Sequence, residues 1–104
     1  MRILIVEDEL ALAEGLAFNF QQEGYQVDLA GDGPYALKQL EHADPHVDIV
    51  ILELMLTGMS GYEICREIRR NANDLPILVL SARTLSEDKA QAFDAGTDQY
   101  MTKP

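Results

Sequence analysis

The sequence predicts an α/β domain built on a parallel sheet, and three observations predict it. Short, almost continuously apolar runs occur at 2–6, 48–53 and 76–81. Runs of this kind suit strands covered by helices on both faces. Longer segments with helical periodicity separate them, and this alternation points to βαβ units with a parallel sheet. Gly24 and Gly96 stand where the first and last of those helices should stop. Parallel strands joined by right-handed crossovers give an open, doubly wound sheet.

Each element has its own reason. Residues 2–6 are the first strand, and residues 9–23 the first helix. That helix carries apolar residues on more than one stripe, with Leu12, Leu16 and Phe18 beside Leu10, Ala13, Ala17 and Phe20. A helix of that kind is buried against more than one neighbour. Residues 25–30 alternate more, as a strand nearer an edge would. Pro34 fits the first turn of a helix over 34–42, where its missing N–H costs nothing. The third strand, 48–53, ends in Glu53. Ser60-Gly-Tyr-Glu63 reads as a capping box opening a helix over 61–71. The fourth strand, 76–81, ends in Ser81, and Thr84-Leu-Ser-Glu87 reads as a second box before a helix over 85–95. Residues 98–102 are the weakest strand, giving the order βαβαβαβαβ.

Composition narrows the class. A chain of 104 residues is one domain, and 47% hydrophobic residues argue against disorder. The formal net charge of −10 repels nucleic-acid phosphates, so direct DNA binding by this chain is not expected. The single Cys65 excludes an intramolecular disulfide and a cysteine zinc cluster. No apolar stretch approaches the length of a membrane span, and no signal-peptide pattern opens the chain. A cytoplasmic protein without membrane association is the expectation.

The chemistry gathers at strand ends. Glu7, Asp8 and Glu53 are strand-terminal acids, Ser81 offers a hydroxyl, and Lys103 supplies a cation before Pro104. Converging carboxylates repel, and a hard divalent cation with oxygen ligands is the simplest compensation. Taken one at a time these residues read more simply. Glu7-Asp8-Glu9 is then a polar loop after a strand, and Lys103-Pro104 a surface lysine before a loop proline.

Together they resemble the receiver domain of bacterial two-component response regulators. The resemblance covers the whole chain. It rests on Met1-Arg-Ile-Leu-Ile-Val-Glu-Asp-Glu9, Leu54-Met-Leu-Thr-Gly-Met-Ser-Gly61, Leu80-Ser-Ala-Arg83, Asp88-Lys89 and Asp94-Ala-Gly-Thr-Asp98. In detail the chain is most similar to regulators that carry a winged-helix DNA-binding domain. The resemblance implies a flavodoxin-like doubly wound sheet, strand order 2-1-3-4-5, written (βα)4β with the last helix missing. It implies Mg²⁺ held by Asp8, by the acceptor carboxylate at position 53 and by the Met55 carbonyl, with Glu7 acting through water. Lys103 would neutralise phosphoryl oxygens, with its bond to Pro104 in cis. Ser81 would bond the phosphoryl group while Tyr100 rotates inward behind it, although Tyr100 is as readily an ordinary half-buried strand tyrosine. The implied partners are a sensor histidine kinase and a C-terminal DNA-binding effector. The implied role is a phosphorelay signalling module for transcription regulation, not an enzyme.

The chain departs from that pattern. The family places an aspartate where Glu53 stands. One extra methylene moves the carboxylate by about an ångström, a misplacement that can cost about a hundredfold in rate. Glu53 is therefore expected to be a poor phosphoacceptor. It would act either as a partial mimic of the phosphorylated state or as part of a pseudo-receiver serving only protein interaction. Ser81 bonded to Glu53 with Tyr100 inward would favour mimicry; both turned away would favour the silent module. Thr57 replaces a common proline and should loosen its turn. Receiver domains continue into a fifth helix, so an apolar face around Leu12, Leu16 or Phe18 and self-association through it are expected. Lys89 and Asp98 match charged positions of the family's dimer interface, where Gln99 replaces an acid, yet plain solvated charge suits them better here. Cys65 should be a small core residue, Met55 and Met59 packing side chains, and His42 and His46 surface residues. Gly31-Asp-Gly33 is a turn too short to cradle phosphate. A flavodoxin-like FMN binder is disfavoured because Glu7-Asp8-Glu9 follows the first strand where a hydroxyl- and glycine-rich loop would be needed.

Overall fold

The computed structural model describes residues 1–42, 46–71, 74–83 and 85–103. Five strands and four helices alternate: β1 Arg2–Val6, α1 Leu10–Gln22, β2 Gln26–Ala30, α2 Gly33–His42, β3 Ile49–Leu52, α3 Gly61–Asn71, β4 Ile77–Ser81, α4 Ser86–Ala95 and β5 Gln99–Thr102. All pairings are parallel, in the order β2-β1-β3-β4-β5. The central strands β1 and β3 are buried on both faces, which explains their unbroken apolar runs. Both strands with weaker patterns, β2 and β5, lie at the edges.

Side-chain alternation sorts the core into layers. Leu4, Val6, Val50 and Leu52 face α2 and α3, where Ala36, Ile64, Cys65 and Ile68 close the layer. Ile3, Ile5 and Ile51 point the other way, onto Ala17, Leu16 and Phe20 of α1. A third group, Leu54, Val79 and Ala92 with Tyr62 and Tyr100, seats α4. Burying a side chain the size of Leu or Ile stabilises the fold by roughly 1.5–3 kcal/mol, so these layers set the scale of its stability.

The residues named for an apolar face differ from one another in burial. Leu16 packs into the core, while Phe18 and Leu10 are 60% and 64% exposed. Leu78 and Leu80 of β4 are only half-buried on the α1 side, and Met101, in register with Leu80, is exposed. At the end of α4, Gly96 adopts a left-handed conformation (φ 116°), and its N–H bonds the carbonyls of Ala92 and Phe93. Ser60 Oγ accepts the Glu63 N–H at 3.3 Å, and the Glu63 carboxylate reaches back to the Ser60 hydroxyl. Half of that capping box is therefore formed, with the hydroxyl standing in for the expected backbone donor. The second expected box involves Thr84, and the cis bond Pro104; both lie outside the described residues. No helix among the described residues is long and apolar enough to cross a membrane.

Candidate functional site

The carboxyl ends of β1, β3 and β4 and the residue after β5 meet on one side of the sheet. Backbone hydrogen bonding carries each functional residue past its strand. The Glu7 N–H bonds the Ala30 carbonyl at 3.0 Å, the Glu53 N–H bonds the Val6 carbonyl at 3.0 Å, and the Lys103 N–H bonds the Ser81 carbonyl at 2.8 Å. The ladder therefore sets where these side chains start. Gly61 allows α3 to begin directly above Glu53. A Cβ at that position would lie 2.4 Å from the Glu53 carbonyl oxygen, too close for any other residue.

Lys103 is the hub. Its Nζ lies 2.6 Å from Glu53 Oε1 and 3.4 Å from Glu7 Oε1. Glu53 Oε2 accepts the Leu54 N–H at 2.7 Å and, more weakly, the Met55 N–H at 3.5 Å. Both acids are buried, Glu7 at 6% and Glu53 at 8% exposure. Burial pushes the Glu7 carboxyl up; Lys103 pulls it back and the Glu53 charge adds to the rise, with a net upward shift. Burial alone would depress the Lys103 ammonium. The hydrogen bond and charge of Glu53, followed by the charge of Glu7, outweigh burial and hold it above its ordinary value.

Asp8 is exposed and faces elsewhere. Its Oδ2 accepts both the backbone N–H of Thr57, at 3.2 Å, and the Thr57 hydroxyl, at 3.1 Å. This corrects the expectation that Thr57 loosens its turn. Where a proline could donate nothing, threonine donates twice and ties the turn to β1. Oxygen donors from Glu7, Asp8 and Glu53 suit magnesium by type. In this conformation their near oxygens are engaged by Lys103 and Thr57, and no group of three acidic, histidine or cysteine side chains among the described residues is arranged to hold a metal.

Ser81 and Tyr100 divide between the two expected arrangements. Ser81 is fully buried, and its hydroxyl accepts the Arg83 N–H at 3.3 Å; no hydrogen bond joins it to Glu53 among the described residues. Tyr100 points inward. Its phenol donates to the Arg83 carbonyl at 2.8 Å, its ring packs with Leu54, Val79 and Ala92, and Lys89 Nζ sits 5.8 Å from the ring centroid. Burial raises the Tyr100 phenol, partly countered by the nearby Ser81 hydroxyl.

Several other expectations need correcting. Met55 does not pack: it is 58% exposed, with its sulfur 2.8 Å from an Arg83 guanidinium nitrogen. Met59 does pack, against the α2/α3 layer. Lys89 covers Tyr100, and Asp98 is paired with Arg69 at 2.7 Å, so neither is plain solvated charge. Cys65 is buried as expected, and burial raises its thiol. Sequence reasoning missed Thr57 as the partner of Asp8, and Gly61 as the seat of α3. A hydroxyl in the loop opposite an acidic strand end was the available signal for the first. The second shows only once the backbones are seen to touch.

Fold and site together define a buried lysine–carboxylate pocket at the strand ends of a flavodoxin-like sheet. The response regulator receiver domain family matches residues 3–104, and the chain belongs to that family. Among similar proteins, the sensory transduction protein RegX3 of Mycolicibacterium smegmatis is 43% identical over 102 residues, covering 98% of this chain and 43% of that protein. Response regulator MprA of Mycobacterium avium is 41% identical over 104 residues, covering all of this chain and 45% of that protein. The chain thus spans less than half the length of these relatives. The response regulator protein TrrA of Thermotoga maritima, solved in complex with Mg²⁺–BeF, superposes with a TM-score of 0.89 at 35% identity, over 99% of this chain and 86% of that one. The chemotaxis protein CheY4 of Vibrio cholerae gives 0.93 at 28% identity, with the same coverage. Phosphorylation and Mg²⁺ are typical of this family, whose members interact with sensor histidine kinases.

Proposed function

We propose that this chain is a phosphorelay receiver module in which Glu53 occupies the phosphoacceptor position, accepts phosphate poorly and partly imitates the phosphorylated state. The observation that carries this reading is the 2.6 Å contact between Lys103 and Glu53. Phosphoryl transfer to a carboxylate needs in-line access and a free cation to neutralise the incoming oxygens. Here the glutamate reaches the cation itself, and its second oxygen is held by the Leu54 N–H. Imitation is partial, because one carboxylate carries about half the charge of a phosphoryl group. The inward Tyr100 supports it, while the absence of a Ser81–Glu53 bond among the described residues limits it.

Magnesium belongs to the same reading. Asp8, Glu53 and the Met55 carbonyl would hold it, with Glu7 acting through water, and the ion would neutralise phosphoryl oxygens. Lys103 and Thr57 compete for those carboxylates, so weak Mg²⁺ affinity is expected. The wider role follows: a cytoplasmic, non-enzymatic module that receives a signal from a sensor histidine kinase and controls a DNA-binding effector domain. Self-association through the Leu78, Leu80 and Met101 face is part of the proposal, read by sedimentation at rising concentration, and a monomer throughout removes it. The alternative is a pseudo-receiver that only binds other proteins, favoured by Ser81, whose hydroxyl serves the Arg83 N–H and not Glu53 among the described residues.

Incubation with a small phosphodonor and Mg²⁺, followed by intact mass, tests the central claim. The protein should remain unmodified. A stoichiometric phosphate adduct on Glu53 overturns the reading.

A further inference from the structure

One residue outside the carboxylate pocket touches every part of the switch region, each through a different group. The Arg83 N–H bonds Ser81 Oγ at 3.3 Å, and its carbonyl accepts the Tyr100 phenol at 2.8 Å. Its guanidinium pairs with Asp88 Oδ1 at 3.0 Å and reaches Met55 Sδ at 2.8 Å. Asp88 lies in the first turn of α4, is only 6% exposed, and also stands within 3.5 Å of the Tyr62 hydroxyl. The Arg83 Nε is buried with no hydrogen-bond partner, so the guanidinium is held by its two terminal nitrogens alone.

We infer that Arg83 is the positioning residue that holds Tyr100 inward, and that it does so through Asp88, not through Glu53. The inference rests on the preceding reading only for its regulatory meaning. Among the described residues Tyr100 makes no hydrogen bond to Glu53, whose oxygens face Lys103 and the Leu54 and Met55 N–H groups. What Tyr100 bonds is the Arg83 carbonyl, and Arg83 is itself fixed to α4 by its pair with Asp88. Releasing the pair frees the carbonyl that Tyr100 uses. Met55 completes a path from the pocket. Its N–H faces Glu53 Oε2 and its sulfur faces Arg83, so a change at position 53 has a route to the Arg83–Asp88 pair through this residue. Such an element is a two-state latch, biased by whatever contacts differ between its states.

Fluorotyrosine incorporation with ¹⁹F NMR reads the latch, with Tyr100→Phe assigning the resonance. Arg83→Ala and Asp88→Asn should each shift the Tyr100 signal toward the solvent-exposed position, raising the outward population about fivefold for a half-exposed ion pair. Arg83→Lys, which keeps the charge, should restore most of the inward signal. Glu53→Gln should leave it in place. An unmoved Tyr100 signal in a folded Arg83→Ala protein overturns the inference, as does a Glu53→Gln shift as large as that of Arg83→Ala. If Arg83→Ala fails to fold, Asp88→Asn against Arg83→Lys decides: an inward signal in both overturns the inference, and an inward signal in Arg83→Lys alone supports it. A phosphate adduct on Glu53 defeats the earlier reading and leaves this result untouched, so the two failures are distinguishable.

Discussion

The two ends of the sheet each hold a cation against carboxylates, and they do so in different ways. At the amino ends of β4 and β5, the Arg69 guanidinium bonds the carbonyls of Gly96 and Leu75 and pairs with Asp98. The same Asp98 oxygen accepts the Ile77 N–H at 2.8 Å. This end is knitted to backbone groups at Leu75 and Ile77, around the start of β4, and at Gly96 after α4. At the carboxyl ends, Lys103 contacts two carboxylate side chains, each on a rotatable stem. A cation tied to main chain is a rivet, whereas one tied to side chains can be exchanged for another cation or redirected by a ligand. The contrast separates the end of the molecule that supplies stability from the end suited to signalling.

The largest expected effect lies at the signalling end. Glu53→Asp shortens the reach, withdraws the carboxylate from Lys103 and should raise the rate of labelling by a small phosphodonor about a hundredfold. Time-resolved intact mass checks this, and an unlabelled variant would sink the explanation based on the extra methylene. The next effect lies at the opposite end. Arg69→Ala abandons two carbonyls and the Asp98 carboxylate, and should lower stability by roughly 2 kcal/mol in urea titration without altering phosphodonor behaviour. A loss below about 0.5 kcal/mol would place this clamp among ordinary surface pairs and dissolve the comparison.

The smallest effect is a slope with pH. Burial raises the Cys65 thiol and the Tyr62 and Tyr100 phenols, so the unfolded chain releases these protons first and stability falls as pH climbs past their usual values. Lys103 adds the same sign: its contribution is complete below its unfolded value and is lost as pH rises through the higher folded one. The urea midpoint should therefore decline between about pH 8 and pH 11, and Tyr100→Phe should flatten part of the upper limb. An unchanged limb in that variant would mean that its phenol titrates as freely in the fold as outside it.

The fold was legible because the local and long-range signals agree. The runs at 2–6 and 48–53 are apolar at successive positions since β1 and β3 have helices on both faces, and the structure assigns Arg2–Val6 and Ile49–Leu52 within them. The weaker patterns at 25–30 and 98–102 belong to edge strands, where burial no longer dictates every residue. The membership of the pocket was legible for the same reason: strand ends on one side of a parallel sheet must converge, and Glu7, Glu53 and Lys103 do. Which oxygen faces which donor was not. Asp8 turns to Thr57, and Ser81 serves Arg83, through single-bond rotations that no periodicity records. Asp98 was read as solvated charge, with a family interface as the other reading, and proved to be half of an internal clamp, because its partner Arg69 lies 29 positions away on α3.

Gly61 constrains what can be altered at this pocket. The first turn of α3 rests on the peptide that carries Glu53, and the Gly61 N–H bonds the Leu54 carbonyl at 2.9 Å. Helix and strand tip are therefore in direct backbone contact, with no side chain between the peptide of residue 53 and the start of α3. Protein engineers can vary the length of the side chain at position 53, but the platform beneath it tolerates only hydrogen.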